Sequence, residues 1–382
     1  MIAHRPHTAE ELCGIFAAAA ERGARLELRG GGSMADVGSP RSAEIVDMRG
    51  FAGVVDYDPA ELVLTVGAGT PLAGVQQLLA AKDQALAFDP FDGGPLFGGP
   101  SGAATIGGIV AAGTAGSRRL SGGGARDHLL GFTAISGRGE TFVAGGRVVK
   151  NVTGFDLPKL MAGSWGRLAA LTQITLRVLP RPRESITRTY AGLTLEGARA
   201  LFAAAMASQA SISAAAYRPG DGRDSSLTAL RIEGFGPSVR ARLLMLDGLG
   251  QGLDAMVGTD IDGDQFWNEL ATLSPLADGR PLWRISVPPS ACSGLVAAML
   301  PLDVHYLVDW AGARIWMTYN GPASVLRDAA AALGGHAMLI RGDPELRTAT
   351  PAFHPQPASV AALEERVRRA FDPAGLFETG RF

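Results

Sequence analysis

The chain has 382 residues, 47% of them hydrophobic and 19% charged, with a formal net charge of −2. That length is enough for two domains, or for one large domain with an insertion, and leaves a sizeable core to bury. No basic cluster exists beyond short pairs such as Arg118-Arg119, which excludes a nucleic-acid footprint; two isolated cysteines, Cys13 and Cys292, exclude a disulfide framework or a cysteine metal site and fit a reducing compartment.

Thr8-Ala-Glu-Glu11 reads as a capping box, with Leu12, Ile15, Phe16 and Ala19 at helical spacing until Gly23. Leu12–Ala20 is apolar, but Glu10, Glu11 and Glu21 flank it, so no signal peptide is expected. A short strand, Arg25–Arg29, runs into Gly30-Gly-Gly-Ser-Met-Ala35. The G-x-G-x-x-A pattern after a strand raises a Rossmann unit. It fails here, because Asp36–Arg41 is no amphipathic helix and the next strand, Glu44–Met48, begins too soon for a crossover. A loop whose successive N–H groups form an anion nest explains the glycines better. Val54–Tyr57 and Leu62–Gly67 read as strands joined by Asp58-Pro59, and Thr70-Pro71 opens a helix through Leu79 with Thr70 as its cap.

Between Gly93 and Ser117 stand 25 uncharged residues, nine of them Gly and two Pro. Such a composition makes a poor lipid-facing helix, and no transmembrane segment is expected. Glycine at this density brings backbone close to something flat or anionic, and the stretch reads as the wall of a large cofactor site. Within it Ile106, Ile109 and Val110 are expected to face a core while Gly107 and Gly108 admit a ligand. A hairpin follows around Ser136–Gly139, then a second glycine-rich block, Val149–Gly166, and a strand, Leu171–Leu179.

Pro180-Arg-Pro182 marks a boundary, after which the texture changes. Strand 185–190, helix 195–209, strands 211–217 and 227–234 and helix 237–249 come first, with an extra helix near 264–273. Strand 282–287, helix 290–299, strands 304–310 and 313–319, helix 323–333 and strand 336–341 repeat the order. A repeated βαββ order points to two ferredoxin-like halves sharing an antiparallel sheet with helices on one face. Ser359 is expected to cap a last helix ending at Phe371, and the apolar tail Leu376–Phe382 to pack back on the first domain.

The blocks Arg29–Ser33, Leu64–Gly69, Thr105–Gly108, Gly122–Asp127, Lys150–Asp156, Gly163–Gly166 and Phe371–Gly375 together resemble the FAD-binding domain of the vanillyl-alcohol-oxidase/PCMH flavoprotein superfamily. Within it the chain is most similar to the small FAD-binding subunits of bacterial glycolate oxidases. The resemblance implies an α+β fold: a PCMH-type FAD-binding domain of two α/β subdomains (1–182), a ferredoxin-like cap (183–345) and a C-terminal segment (346–382). It implies that Arg29, Gly30, Gly31, Gly32 and Ser33 hold the pyrophosphate of FAD. Thr105, Gly107 and Gly108 would pass the isoalloxazine and ribityl chain, Thr114, Gly116 and Ser117 would continue that wall, Lys150 and Asn151 would lie near the cofactor, and Gly166 and Ile174 near the adenine. No His stands beside Arg29–Ser33, so the FAD is expected to be non-covalent. Larger relatives carry a metal-binding His pair in the cap; none of His4, His7, His128, His305, His336 and His354 forms such a pair, and no metal is expected.

Oxidation of a 2-hydroxy acid at a flavin needs a cation for the carboxylate and a base for the hydroxyl proton. Arg284, Arg314 and Arg341, on cap strands, are the candidate cations, and His336 the candidate base. The implied function is glycolate oxidation to glyoxylate in a cytoplasmic complex with a larger FAD-containing subunit and an iron–sulfur subunit, which leaves open attachment to the inner membrane through a partner. Two cysteines are too few for a cluster of its own. An accessory flavin-bearing subunit without its own substrate site, and a stand-alone alcohol or alditol oxidase, are the alternatives.

Overall fold

The structure, a computed structural model, describes residues 2–146, 155–222, 224–251, 256–259 and 263–382. Its contacts divide the chain into two units. The first comprises Met1–Ala115, Gly123–Arg181 and Pro355–Phe382, and the second Gly116–Gly122 and Pro182–His354.

In the first unit, strands β1 (Ala3–His4), β2 (Leu26–Arg29) and β3 (Glu44–Asp47) form a parallel sheet in the order β1-β3-β2. Helix α1 (Ala9–Arg22) begins where the Thr8 hydroxyl accepts from the Glu11 N–H at 3.1 Å. The Glu11 carboxylate reaches back one residue further than a capping box requires, to the His7 N–H at 2.7 Å. Gly23 ends the helix in the left-handed region (φ 65°). Leu12, Phe16 and Ala19 of α1 pack with Leu26, Val46, Leu376 and Phe377, so the C-terminal tail completes this small core.

The second sheet of this unit joins β4 (Val54–Asp58), β5 (Val63–Gly67), β6 (Leu129–Ser136), β7 (Thr141–Gly145) and β8 (Ala169–Arg177) in the antiparallel order β4-β5-β8-β6-β7. Helices α2 (Leu72–Ala80) and α3 (Ile106–Ala112) bury Leu72, Val75, Leu79, Ile106, Ile109 and Val110 with that sheet's core. Thr70 does not cap α2, as its position before Pro71 implied; its hydroxyl donates to the Gly67 and Gly53 carbonyls instead, and Pro71 is the cap residue. Nor does Ser359 cap the last helix, α9 (Ala358–Phe371), whose cap residue is Pro357.

The second unit carries an eight-stranded sheet. Its strands are β9 (Glu184–Ala191), β10 (Ala214–Arg218), β11 (Leu227–Gly234), β12 (Met256–Thr259), β13 (Leu282–Ser286), β14 (His305–Asp309), β15 (Arg314–Thr318) and β16 (His336–Arg341), in the order β12-β9-β11-β10-β14-β15-β13-β16. Each half is thus a βαββαβ unit with its fourth strand outermost, and the halves meet where Tyr217 pairs with Val308. Strand β12 escapes sequence reading, since Met-Val-Gly-Thr has no alternation of its own. It becomes a strand by pairing antiparallel with β9. Helices α4 (Leu195–Ala207), α5 (Gly236–Gly250), α7 (Cys292–Met299) and α8 (Ala323–Ala332) pack against one sheet face, burying Tyr190, Ile232, Trp283, Ile285, Ile315, Met317 and Leu339. Strict side-chain alternation then sends Arg284, Arg314, Trp316, Asp309, Met338 and His336 to the opposite face. Helix α6 (Gly263–Thr272) is tied to that face, as the Trp267 indole N–H donates to the Thr187 hydroxyl at 2.9 Å.

Candidate functional site

The first unit holds a pocket walled largely by glycine. Its floor is the loop that leaves β2, Gly30–Ala35; its walls are Thr105, Gly107, Gly108 and Thr114 around α3, and Ser164–Gly166. The loop presses onto the segment before α3 so closely that a Cβ on Gly31 would sit 1.4 Å from the Ala103 carbonyl oxygen. Gly32 then turns the chain at φ 79°, a conformation that L side chains adopt at a cost. Among the described residues, no protein acceptor takes the N–H groups of Gly31, Gly32, Ser33 or Met34. The Thr114 hydroxyl is buried in the same wall without a partner among the described residues. Unclaimed donors and an orphaned hydroxyl around a glycine-walled pocket fit a large anionic cofactor, with the diphosphate of FAD at the loop. Glu27, Phe91, Trp165 and Arg381 also line this pocket. Trp165 lies within a block already tied to the flavoprotein motif, while nothing local to the C-terminal sequence marks Arg381.

Thr105 both lines the pocket and caps α3, accepting from the Gly108 N–H at 3.3 Å. Arg29, Gly30–Ser33, Thr105, Gly107, Gly108, Thr114 and Gly166 all line this pocket. Gly116, Ser117 and Ile174 do not line the pocket. Ile174 is fully buried in the core of the five-stranded sheet, paired across strands with Val66 and Phe132. Gly116 and Ser117 belong to the second unit, where the Gly116 carbonyl accepts from the Trp310 indole at 3.0 Å and the Ser117 hydroxyl donates to Asp309 at 3.0 Å. Lys150 and Asn151 lie outside the described residues.

On the face of the cap sheet opposite helices α4, α5, α7 and α8, Arg284 and Arg314 are diagonal neighbours: Arg284 pairs with Trp316, and Ser286 with Arg314. Among the described residues neither forms an ion pair. Among those residues Arg284 donates only to the Met338 sulfur, at 3.1 Å, and Arg314 Nε has no acceptor. Arg314 is instead sandwiched by rings, its guanidinium carbon 3.4 Å from the centre of Trp310 and 5.5 Å from that of Trp316. Burial pulls Arg284 down to about 10, so it remains a cation at neutral pH, and burial together with the charge of Arg284 pulls Arg314 down as well. His336, paired with Ser286, is pushed below its ordinary value by desolvation and by the charges of Arg284, His354 and Arg314, so its imidazole is neutral at pH 7. Asp309, missed in the sequence, is buried beside them and raised to about 6 by desolvation, against the Trp310 N–H and Ser117 hydroxyl that it accepts. Arg341 stands apart from the other arginines. Its fork donates to the Leu276 and Arg280 carbonyls and braces the turn before β13.

Fold and pocket define an FAD-binding flavoprotein. Residues 2–145 match the family model described as an FAD binding domain. The whole chain is similar to glycolate oxidase subunit GlcE of Escherichia coli, at 34% identity over 93% of this chain and 92% of that protein. It belongs to that family of glycolate oxidase subunits, FAD-dependent oxidoreductases. A D-lactate dehydrogenase of Archaeoglobus fulgidus is 30% identical over 51% of the chain and 42% of its own length. Among solved structures, alkyldihydroxyacetonephosphate synthase shares the fold with a TM-score of 0.71 at 14% identity, over 99% of this chain and 76% of that one. Among the described residues no helix is long and apolar enough to cross a membrane.

Proposed function

We propose that this chain is the FAD-binding subunit of a glycolate oxidase complex, oxidising glycolate or a close 2-hydroxy acid to the 2-oxo acid. Its partners in this reading are a larger FAD-containing subunit and an iron–sulfur subunit that takes the electrons. One observation carries the substrate reading: two neighbouring guanidiniums, Arg284 and Arg314, share a sheet face where the single carboxylate opposite Arg314, Asp309, makes no ion-pair contact with either among the described residues. Burying two like charges side by side is unfavourable unless an anion joins them, and a planar carboxylate suits the guanidinium fork. His336, its imidazole neutral beside them, takes the hydroxyl proton, and a substrate carboxylate bound between the guanidiniums offsets the positive charge it gains. FAD, when bound, supplies the acceptor for the hydrogen on the hydroxyl-bearing carbon. The names of the relatives, glycolate oxidase and D-lactate dehydrogenase, support the same substrate class.

Anaerobic titration of the purified chain with glycolate, following the flavin absorbance, tests the proposal. Bleaching of bound flavin is expected. Flavin that stays oxidised until the other subunits are added would make this chain an accessory flavin-bearing subunit. Peroxide formed with an alditol, and no bleaching by glycolate, would make it a stand-alone oxidase.

A further inference from the structure

The loop Gly30–Val37 has two edges. Its N–H edge, Gly31–Met34, belongs to residues that line the pocket and has no protein acceptor among the described residues. Its carbonyl edge is occupied by two arginines from distant parts of the chain. Arg381 donates from Nε to the Val37 carbonyl at 2.8 Å and from Nη2 to that of Met34. Arg41 donates from Nη2 to the Ala35 carbonyl at 2.9 Å. The main chain reinforces this, since the Ser39 N–H donates to the Arg381 carbonyl at 3.0 Å. The Arg381 fork is held by rings as well, 5.2 Å from the centre of Trp165 and 5.0 Å from that of Phe382.

Behind the loop sits Glu27, 7% exposed, which accepts from Arg41 Nη2 and from Arg29 Nη2 at 3.0 Å. Burial works to raise its carboxyl, yet the Arg41 hydrogen bond and the charges of Arg41, Arg29 and Arg381 hold it below the usual range. Glu27 thus faces three guanidiniums, with the Asp36 carboxylate also acting on Arg381, and the cluster carries excess positive charge at the pocket wall. Burial and the Arg41 charge bring Arg381 down to about 9, so its cation is held at a cost that an anion in the pocket would relieve.

We propose that Arg381 and Arg41, anchored on Glu27, are positioning residues for the diphosphate of FAD: by occupying the carbonyls of Met34, Ala35 and Val37 they keep the N–H edge of the loop turned to the pocket. A cation at the oxygen end of a peptide unit also polarises that unit, which strengthens the donor at its other end. The C-terminal segment is thereby part of the cofactor site without itself being a glycine-rich motif.

The test compares apoprotein of the full chain with Arg381→Met and Arg381→Lys, measuring affinity for FAD and for ADP, which carries the diphosphate without the isoalloxazine, and the thermal midpoint of each apoprotein. Losing two charge-assisted hydrogen bonds to the loop is expected to weaken both ligands about ten- to hundredfold. Lys, a point charge that cannot bridge two carbonyls, is expected to remain at least about tenfold weak. Full rescue by Lys would overturn the proposal, since it would mean a direct ion pair with phosphate. So would a lowered apoprotein midpoint with unchanged affinity for both ligands, which is a purely structural role. Should Arg381→Met fail to fold, the Lys variant decides alone.

Discussion

The guanidinium of Arg314 lies 3.4 Å from the centre of the Trp310 ring, and Trp310 itself sits at φ 54°, followed by Ala311 at φ 53°. Two successive left-handed residues, one of them a tryptophan, form a strained turn that surrounding contacts must hold. The Asp309 carboxylate does so by accepting from the Trp310 N–H at 2.7 Å, and the Gly116 carbonyl by accepting from the indole. The turn therefore presents a cation on an aromatic platform, and among the described residues no carboxylate makes an ion-pair contact with it. Arg314→Lys keeps the charge but loses the fork and the ring stacking. In the proposed function it should raise the glycolate concentration needed for half-reduction of the flavin about a hundredfold, which anaerobic titration would show. An unchanged half-reduction point would remove Arg314 from the substrate site.

The cofactor loop gives a steric prediction. Gly31→Ala would push a methyl group to 1.4 Å from the Ala103 carbonyl oxygen. The backbone cannot give that much without separating the loop from the segment before α3. A loss of about 3 kcal/mol in urea unfolding and a protein purified without flavin are expected. Gly14→Ala, at an exposed position of α1 with open space around it, is the control and should gain up to about 1 kcal/mol.

Asp309 makes stability depend on pH with a defined sign. Its carboxyl is raised to about 6 in the folded chain by burial, although Arg314 and Arg231 pull the other way. Unfolded, it would titrate near ~4. The folded state therefore binds the proton more tightly, and the stabilisation is complete below pH ~4 and lost as pH rises through about 6. The difference of roughly two pKa units corresponds to about 3 kcal/mol. Asp309→Asn stays neutral, so its unfolding free energy relative to wild type should climb by about that amount between pH 4 and pH 7. Equal pH profiles for the two proteins would count against a buried, proton-holding Asp309.

Arg118 is committed to an ion pair. It donates to Glu233 through Nε at 3.0 and 3.1 Å and through Nη2 at 2.7 Å, with Arg231 at 3.6 Å from the same carboxylate. Burial works to raise Glu233, but the Arg118 hydrogen bond and the charges of both arginines keep it below the usual range. Glu233→Gln strands two mostly buried guanidiniums and should cost about 3 kcal/mol, read from urea unfolding at neutral pH. Its effect should shrink on acidification, because a carboxylate with a lowered pKa stabilises above its unfolded pKa and loses that contribution as pH falls.

Local chemistry alone determined most of the elements. Thr8 and Gly23 bracket α1 because a hydroxyl and a left-handed glycine satisfy groups at helix ends whatever surrounds them. The glycine blocks announced the wall of a pocket, since only residues without a Cβ fit at Gly31 and turn as Gly32 does. The repeated strand and helix order announced the cap, because each element carries its own periodicity. Tertiary structure decided the rest. Met256–Thr259 is a strand only because β9 offers it an edge. Arg284, Arg314 and Arg341 look alike in sequence, and strand register alone gathers the first two on one face while a turn claims the third. Ser117 meets Asp309 across 192 residues, and Arg381 reaches the Met34 carbonyl across 347. Such contacts leave no local trace, because a hydrogen bond between distant segments depends on the packing of everything between them and not on the propensity of either end.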